Sequence, residues 1–240
     1  MTELAIDMAG VSGSVALRFG QDLDQILVRD LASGPGRGEA VFGLLEELFF
    51  EAGVEARSLT SVLTTVGPGS FTGVRVGIAL AKGLALASGA ELFGVSRTLL
   101  IGRAASFEGQ PAGGVRLQET CFASLINAGR GGVFVQSFSN VAGSFRALSD
   151  PQLLAFEEVA AFASDHDLSA LVGAEPLDPL VEAGFCLPPD LPFVALPVSA
   201  IDLWGIEAPF LLGAREVAPL YLRAPDAKPQ AGASLLRRHS

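Results

Sequence analysis

The chain begins with short apolar runs and changes to helical periodicity after residue 37. Glycine-containing turns separate the first three runs, whose alternating and β-branched positions are typical of strands: residues 4–8, 14–19 and 24–29. Two further strand patterns then alternate with three helical patterns: strands 61–66 and 91–95, and helices 38–53, 73–88 and 96–105. The pattern therefore predicts the order βββαβαβα for the first part of the chain.

A similar order starts again after a stretch rich in glycine and proline at residues 108–114. The second set of patterns predicts these elements: a hairpin at 121–127 and 133–139, strands near Phe145 and at 169–172, a helix at 156–164, and helices near Pro176 and Ser199. Because the order repeats, we predict two related α/β lobes, at residues 1–107 and 115–226, each with a mixed sheet and flanking helices. A flexible basic tail is predicted at 227–240.

The helix predicted at residues 38–53 has one apolar stripe and one aromatic residue outside it. At about 100° per residue, the stripe consists of Val41, Leu44, Leu45, Leu48 and Phe49. Phe50 falls nearly opposite the stripe, beside Glu46. An aromatic side chain on a polar helix face is typical of a contact with another element or another subunit. The next helix carries small residues at helical spacing, which suit close packing either within the chain or between subunits.

Composition and charge favour a folded domain and argue against a chain that binds nucleic acid by itself. The chain has 240 residues, of which 50% are hydrophobic and 18% charged, so it should fold, and its net charge is −10. Residues 1–226 carry −13 and residues 227–240 carry +3, so the body repels a phosphate backbone and the chain alone is a poor binder of nucleic acid. We see no signal peptide and no membrane span, and two cysteines without metal or disulfide spacing favour the cytoplasm.

A glycine-rich loop with the sequence GPGSFTG, at residues 67–73, joins a predicted strand to a predicted helix. Free N–H groups at a helix N-terminus attract anions, so the loop suggests a phosphate site. Its spacing matches neither a Walker A loop nor the dinucleotide fingerprint. A tight turn in which Ser70 or Thr72 caps the helix explains the same residues, and both interpretations stay open. The candidate phosphate-binding residues of the loop are Gly67, Gly69, Ser70, Thr72 and Gly73.

The stretch GPGSFTGVRVGIALAKGLA, followed by Gly94-Val95-Ser96, resembles the signature of the TsaB (YeaZ) family. The strong part of the resemblance covers residues 61–98, and shorter matches lie at 4–7, 125–138 and 219–223. The resemblance implies a two-lobe, actin-like ATPase (ASKHA) fold. It also implies a non-catalytic accessory subunit, a pseudoenzyme required with its catalytic paralogue for threonylcarbamoyl modification of the tRNA adenosine next to the anticodon.

The same resemblance implies partners and cofactors. The partners are a catalytic TsaD-type paralogue and a TsaE-type ATPase, with a homodimer when the chain is alone and with tRNA contacted only through the complex. No cofactor of its own is expected, and ATP or ADP and a metal belong to the assembled complex. The first two long helices form the partner surface, for which our candidates are Phe50, Arg75, Lys82, Gly77 and Ala81.

Resemblance to the wider actin-like superfamily implies that Asp7 and residues 9–13 face nucleotide phosphates, together with residues 127–132 of the second hairpin. The chain departs from the family at two positions. Asn127 stands where the family usually has aspartate, and Val66 stands where it usually has arginine. One carboxylate and one amide hold Mg²⁺ more weakly than two carboxylates, so ATP hydrolysis is not expected. Asp7 also has a purely structural interpretation, as a strand-end residue that caps a turn.

The search for catalytic and metal-binding groups finds little. The catalytic paralogue is expected to hold its metal with a His-x-x-x-His pair, whereas His166 and His239 of this chain are far apart in sequence. We therefore predict no catalytic residue and no metal site. One alternative is an actin-fold ATPase or small-molecule kinase that uses Asp7. A lower-ranked alternative is a peptidase-like hydrolase that uses Ser70, although neither histidine is placed to activate it.

Overall fold

The first sheet contains the predicted N-terminal strands and one strand from the far end of the chain. The computed structural model describes residues 1–106, 117 and 120–223. Five strands come from the first 95 residues and the sixth from near the end of the described chain: β1 Thr2–Asp7, β2 Gly13–Phe19, β3 Gln25–Leu31, β4 Ser61–Thr65, β5 Glu91–Val95 and β12 Leu212–Gly213. Their order is β12-β5-β4-β1-β2-β3. β1, β4 and β5 are parallel, so their carboxyl ends meet at one edge of the sheet.

The second sheet is built around a long hairpin. Its strands are β6 Thr120–Gly129, β7 Gly132–Val141, β8 Ser144–Ala147, β9 Gln152–Ala155, β10 Leu168–Gly173 and β11 Phe193–Ala195. The order is β11-β10-β6-β7-β8, and β9 also pairs with β7. β6 and β7 are antiparallel, whereas β10 is parallel to both β6 and β11. The predicted fold class of two mixed sheets with flanking helices is confirmed.

Two long helices cover the outer face of the first sheet. They are α1 Arg37–Ala52 and α2 Phe71–Ser88. The predicted apolar stripe of α1 faces the sheet, since Val41, Leu45 and Leu48 are buried there in one cluster with Ile78 and Ala81 of α2. Helix α2 is long and apolar enough to cross a membrane, as core helices of globular domains often are, but only a third of its residues are buried. Much of its outward face is therefore apolar and uncovered.

Helix α3, Arg97–Ser106, lies between the two sheets. Its residues Leu99, Leu100 and Ile101 belong to one buried cluster that also contains Ala16 of the first sheet and Phe138 of the second. A hypothetical Cβ on Gly102 would lie 2.5 Å from the Phe138 ring, so this glycine permits the close approach of helix and hairpin. The two lobes therefore share one hydrophobic core, with α3 at its centre.

The outer face of the second sheet is covered by shorter helices. They are α4 Val159–Asp165 and α5 Asp178–Glu182. A third cluster joins Val159, Phe162 and Leu180 to strand residues such as Val135 and Leu171. The element predicted near Ser199 is a 3₁₀ helix, Ala200–Gly205, and it packs in the central core through Ala200 and Leu203.

Most predicted elements are present, and the differences lie in the start of one helix and in three short strands. Helix α2 begins at Phe71 rather than at residue 73, because Ser70 is its N-cap. Strands β9, β11 and β12 were not predicted, since each has only two to four residues and too short an apolar run for a strand pattern. The predicted division at 107–115 and the predicted basic tail at 227–240 lie outside the described residues. Within them, β12 joins a C-terminal segment to the first sheet.

Candidate functional site

The GPGSFTG loop leaves the carboxyl end of β4 and packs against the turn that follows β1. Ser70 N–H donates to the carbonyl of Ala9 at 2.7 Å, and Ser70 Oγ accepts from the N–H of Gly73 at 3.2 Å. Gly69 has φ 151°, and a Cβ there would lie 2.1 Å from the Ala9 oxygen. Two N–H groups of the loop are thus used inside the protein, and Ser70 caps the helix as the tight-turn interpretation expects.

Asp7 ends β1 and is buried at the edge where the three parallel strands finish. Its Oδ1 accepts from Thr65 Oγ1 at 2.8 Å and from the N–H of Ala9 at 3.0 Å. Its Oδ2 lies 3.4 Å from Nε of Arg97. Each carboxylate oxygen therefore has a partner in the chain, and the contact with Ala9 agrees with the turn-capping interpretation.

Arg97 is one of the site residues that the sequence reasoning missed. It begins α3 and is 3% exposed. Its Nη1 lies 3.0 Å from Glu175 Oε1, so one guanidinium connects carboxylates from both lobes. Burial acts to lower the pKa of Arg97, but Asp7 and Glu175 outweigh it and the pKa is raised. Its position in the sequence could have revealed this role, because Arg97 follows Gly94-Val95-Ser96 at the same sheet edge as Asp7.

Arg37 was also not predicted, and it ties the first hairpin turn to the glycine-rich loop. Its guanidinium donates to the carbonyls of Met8 at 2.9 Å and Gly10 at 2.8 Å, and it lies 3.4 Å from Ser70 Oγ. The pKa of Arg37 is lowered, mainly because the guanidinium is partly buried. Nearby Asp7 raises the pKa and nearby Arg97 lowers it further, and neither changes that direction. These bonds engage the guanidinium with backbone carbonyls, so Arg37 fixes the shape of the edge.

Asn127 lies across from this edge, at the end of β6. Its Oδ1 accepts from the N–H of Gly129 at 2.7 Å, which orders the turn of the second hairpin. A cleft of about 500 Å³ separates the two hairpin turns, and Gly10, Ser70, Arg97, Asn127 and Glu175 are among its lining residues. Of the predicted phosphate-binding residues, Gly69, Ser70 and Asn127 line this cleft, whereas Asp7, Gly67 and Gly73 are not among its lining residues. Thr72 instead lines a separate depression beside α1.

The predicted partner residues separate into exposed and buried groups. Phe50 on α1 is 90% exposed, and Lys82 and Arg75 on α2 are also exposed. The prediction for Gly77 and Ala81 needs correction, because both are buried within the chain. A Cβ on Gly77 would lie 3.2 Å from Met8 Cβ, so these small residues allow α2 to pack on its own sheet.

Two further large apolar side chains are exposed on the two outer helices, and the sequence reasoning did not assign them to the partner surface. Leu86 of α2 is 88% exposed and Phe42 of α1 is 54% exposed. We call Phe42, Phe50 and Leu86 the outer helix face. Large apolar side chains exposed to this degree are typical of a surface that contacts another protein.

The peptidase-like alternative, which needs a histidine beside Ser70, finds no support in the described residues. His166 ends α4, where its Nδ1 lies 2.9 Å from the Phe162 carbonyl and its ring packs on the Phe162 ring. Ser70 is engaged by the amide of Gly73 and by Arg37 rather than by a histidine. Among the described residues, the histidine, cysteine and acidic side chains form no group of three that could hold a metal ion.

Comparison with known proteins identifies relatives. The family model described as TsaD, tRNA N6-adenosine threonylcarbamoyltransferase, matches residues 38–218. Two curated proteins, each named tRNA threonylcarbamoyladenosine biosynthesis protein TsaB, also match. The one from Escherichia coli is 31% identical over 67 residues, which cover 28% of this chain and 29% of that protein. The one from Haemophilus influenzae is 29% identical over 132 residues, which cover 52% of this chain and 54% of that protein.

A solved structure extends the similarity to almost the whole fold. YeaZ from Pseudomonas aeruginosa superimposes with a TM-score of 0.69 at 26% identity, covering 92% of this chain and 99% of that one. The matches to the curated relatives, in contrast, span only about a third and about half of their length.

Proposed function

Because the chain belongs to the TsaD family and, within it, to the TsaB/YeaZ group, we propose that it is a non-catalytic subunit for threonylcarbamoyl modification of tRNA. In this proposal it docks through the outer helix face onto a catalytic TsaD-type paralogue in the cytoplasm. A TsaE-type ATPase joins the assembly, and tRNA is bound by the assembly as a whole. When the partner is absent, two copies of the chain pair through the same face.

The observation that carries the proposal is the exposure of Phe50 and Leu86 on adjacent helices. Both side chains lie outside the core clusters, so the fold of the single chain does not account for them. Burying two such side chains against a partner is favourable by several kcal/mol, at about 1.5–3 kcal/mol each. Buried aromatic residues also dominate interface energies, which makes Phe50 the first position to test.

The contacts of Asp7 support the non-catalytic part of the proposal. Asp7 is held by Thr65, Ala9 and Arg97, and Asn127 replaces the second carboxylate that the family usually has. A guanidinium beside Asp7 opposes the binding of a second cation there. The chain also lacks the paired histidines expected of the catalytic paralogue. We therefore assign the metal and the transfer chemistry to the partner, and any ATP or ADP to the assembled complex.

The test is Phe50→Asp in this chain, co-expressed with the TsaD-type paralogue. We expect co-purification to fall at least about tenfold, since loss of a central aromatic contact costs about 2 kcal/mol or more. The new carboxylate would also lie near Glu46, which adds repulsion when both are desolvated. Because Phe50 is 90% exposed, the melting temperature should stay near that of the wild type.

Val181→Asp provides the matched control, because Val181 is 52% exposed on α5 of the other lobe. It introduces the same charge on an exposed apolar position but leaves the outer helix face intact. Full co-purification of Phe50→Asp would place the interface elsewhere. A much earlier melting transition of Phe50→Asp would show instead that Phe50 supports the fold.

A further inference from the structure

The cleft between the two hairpin turns has the features of an anion site. A glycine-containing turn forms each side, with Gly10 in one and Gly129 in the other, and Arg97, which is 3% exposed, also lines it. Backbone N–H groups in such turns carry partial positive charge and form concave sites for anions. A buried guanidinium adds a full positive charge that salt screens only weakly. The cleft should therefore attract an anion unless the protein itself supplies one.

Glu175 brings a negative charge into this cleft from the second lobe. It follows β10 and is among the lining residues of the cleft. Its Oε1 lies 3.0 Å from Arg97 Nη1, and the same oxygen accepts a long hydrogen bond of 3.5 Å from the N–H of Val11. Both of these partners belong to the first lobe. One carboxylate oxygen therefore meets a guanidinium and a turn amide together, as an oxygen of a bound anion would.

The backbone around Glu175 restricts where its carboxylate can go. Pro176 confines the preceding residue to extended conformations, and Pro179 lies in the first turn of α5. A tethered group on a stiff segment acts at an effective concentration on the order of millimolar or above. An anion from solution must compete with that concentration to reach Arg97.

Amides of both turns already have acceptors within the chain. The N–H of Ala9 donates to Asp7 Oδ1 at 3.0 Å, and the N–H of Gly129 donates to Asn127 Oδ1 at 2.7 Å. Aspartate and asparagine commonly close turns through contacts of this kind. The Val11 amide differs, because its acceptor comes from the other lobe. It is therefore the amide that becomes available when that acceptor is removed.

Arg97 would keep one counter-charge if Glu175 were removed. The Asp7 carboxylate stays beside it, with Oδ2 at 3.4 Å from Nε. The Glu175 side chain is 27% exposed and thus less deeply buried than its partner. Nη1 of Arg97 makes no hydrogen bond even with Glu175 in place, so charge alone holds this pair. An anion that fitted the cleft would give this buried donor a hydrogen bond.

We propose that Glu175 is an internal anion that fills the cleft between the two hairpin turns and keeps external anions out. The contact is autoinhibitory, because the chain carries an anion site that its own carboxylate occupies. Replacing Glu175 turns the cleft into a site for a tetrahedral dianion such as sulfate. The proposal does not depend on the proposed function, since neither Glu175 nor Arg97 belongs to the outer helix face.

The first test compares the wild type with Glu175→Ala in sodium sulfate against sodium chloride at matched ionic strength. Two-dimensional NMR of the full chain follows the backbone amides of Gly10 and Val11, because arginines outside this cleft also attract sulfate. We expect sulfate to shift these amides in Glu175→Ala with at least about tenfold higher affinity than in the wild type, since the tethered competitor is gone. Equal affinities at these amides, or no sulfate-dependent shift in Glu175→Ala, would overturn the proposal.

Two further variants separate the charge of Glu175 from its volume and its position. Glu175→Gln keeps the volume but not the charge, and it should bind sulfate more tightly than the wild type and less tightly than Glu175→Ala. Glu182→Ala removes the same charge from an exposed position on α5 and should match the wild type. An equal gain in Glu182→Ala would overturn the proposal, because net charge rather than occupation of the cleft would then control binding. Urea unfolding curves check that each variant is folded, and Glu175→Gln carries the test if Glu175→Ala is not.

Discussion

At the scale of single residues, Arg97 determines the environment of Asp7. Its guanidinium is buried between Asp7 and Glu175, and it fills the space beside Gly10, where a Cβ would lie 3.0 Å from the guanidinium carbon. Two carboxylates at this edge thus share one buried guanidinium. A phosphate entering the cleft between the two hairpin turns would have to compete with the carboxylates of Asp7 and Glu175, which are already paired to Arg97.

Arg97→Met should destabilise the chain by about 3–5 kcal/mol, because Asp7 would then be a buried charge without its partner. Urea unfolding at neutral pH measures the difference. Arg57→Met is the control, since the Arg57 pair with Glu55 is exposed and such pairs contribute about 0–1 kcal/mol. Adding Asp7→Asn to Arg97→Met should recover part of the loss. If Arg97→Met unfolds like the wild type, the ion pair has no structural role.

Asp202 gives a dependence of stability on pH. Burial raises its pKa, the Ser199 N–H that bonds to its carboxylate lowers it, and nearby Asp7 raises it. A folded-state pKa above the unfolded value means that stability is present below the unfolded pKa and is lost as pH rises through the folded pKa. Asp202→Asn keeps an acceptor for Ser199 but does not titrate.

The free energy of unfolding of Asp202→Asn, relative to the wild type, should therefore increase as pH rises from about 4 to about 7. Urea titrations at several pH values measure this difference, and Asp22→Asn on the exposed turn after β2 controls for the loss of one charge. A difference that falls with rising pH would contradict the assigned sign.

At the scale of elements, helix α2 depends on glycine at one end and tolerates it at the other. A Cβ on Gly73 would lie 2.0 Å from the Met8 carbonyl oxygen, whereas a Cβ on Gly83 would meet nothing within 4 Å. The first turn of α2 is thus pressed against the end of β1. This contact couples the GPGSFTG loop to the strand that carries Asp7.

Gly73→Ala should destabilise the chain by about 2 kcal/mol or more, because backbone atoms must move to admit the methyl group. Gly83→Ala should instead stabilise it by about 0.5–1 kcal/mol, since alanine favours the helix at an open position. Thermal unfolding of both variants gives the comparison within one helix. Equal effects of the two substitutions would show that the close approach of Gly73 to Met8 does not contribute to the free energy of unfolding.

Helices and central strands were predictable from sequence because their cause is local. The stripe Val41, Leu45 and Leu48 has helical spacing and faces the sheet, and the exposure of Phe50 follows from the same spacing. The short strands and the role of Arg97 depend on distant partners. β12 forms because it meets β5, and Arg97 is buried because Asp7 and Glu175 arrive from other parts of the chain. The spacing of residues along the chain does not reveal contacts between residues that are far apart in sequence.

At the scale of the whole molecule, the net negative charge of the chain weakens its binding of nucleic acid. Residues 1–226 carry a net charge of −13, and the cleft lined by Arg75, Arg130 and Arg223 is one local exception to it. A single nucleotide contact is worth only a few kcal/mol, and long-range repulsion acts on the rest of a folded RNA. A local cluster of arginines is therefore compatible with poor binding of a complete tRNA.

The isolated chain should bind tRNA with a dissociation constant above about 1 μM at physiological salt. Filter binding at a series of salt concentrations measures both the affinity and its slope. The co-purified complex with the TsaD-type paralogue serves as the comparison, and it should bind more tightly if the proposed function is correct. A sub-micromolar, steeply salt-dependent complex of the lone chain would contradict this prediction.

The return of β12 to the first sheet has a consequence for synthesis on the ribosome. Strand β5 is complete at Val95, but its antiparallel neighbour Leu212–Gly213 begins 117 residues later. At roughly 5–20 residues per second, the β5 edge stays unpaired for on the order of 5–20 s in each nascent chain. An open strand edge is a template for pairing with other chains. The order in which the chain is made thus exposes the first lobe to misassembly until the second has emerged.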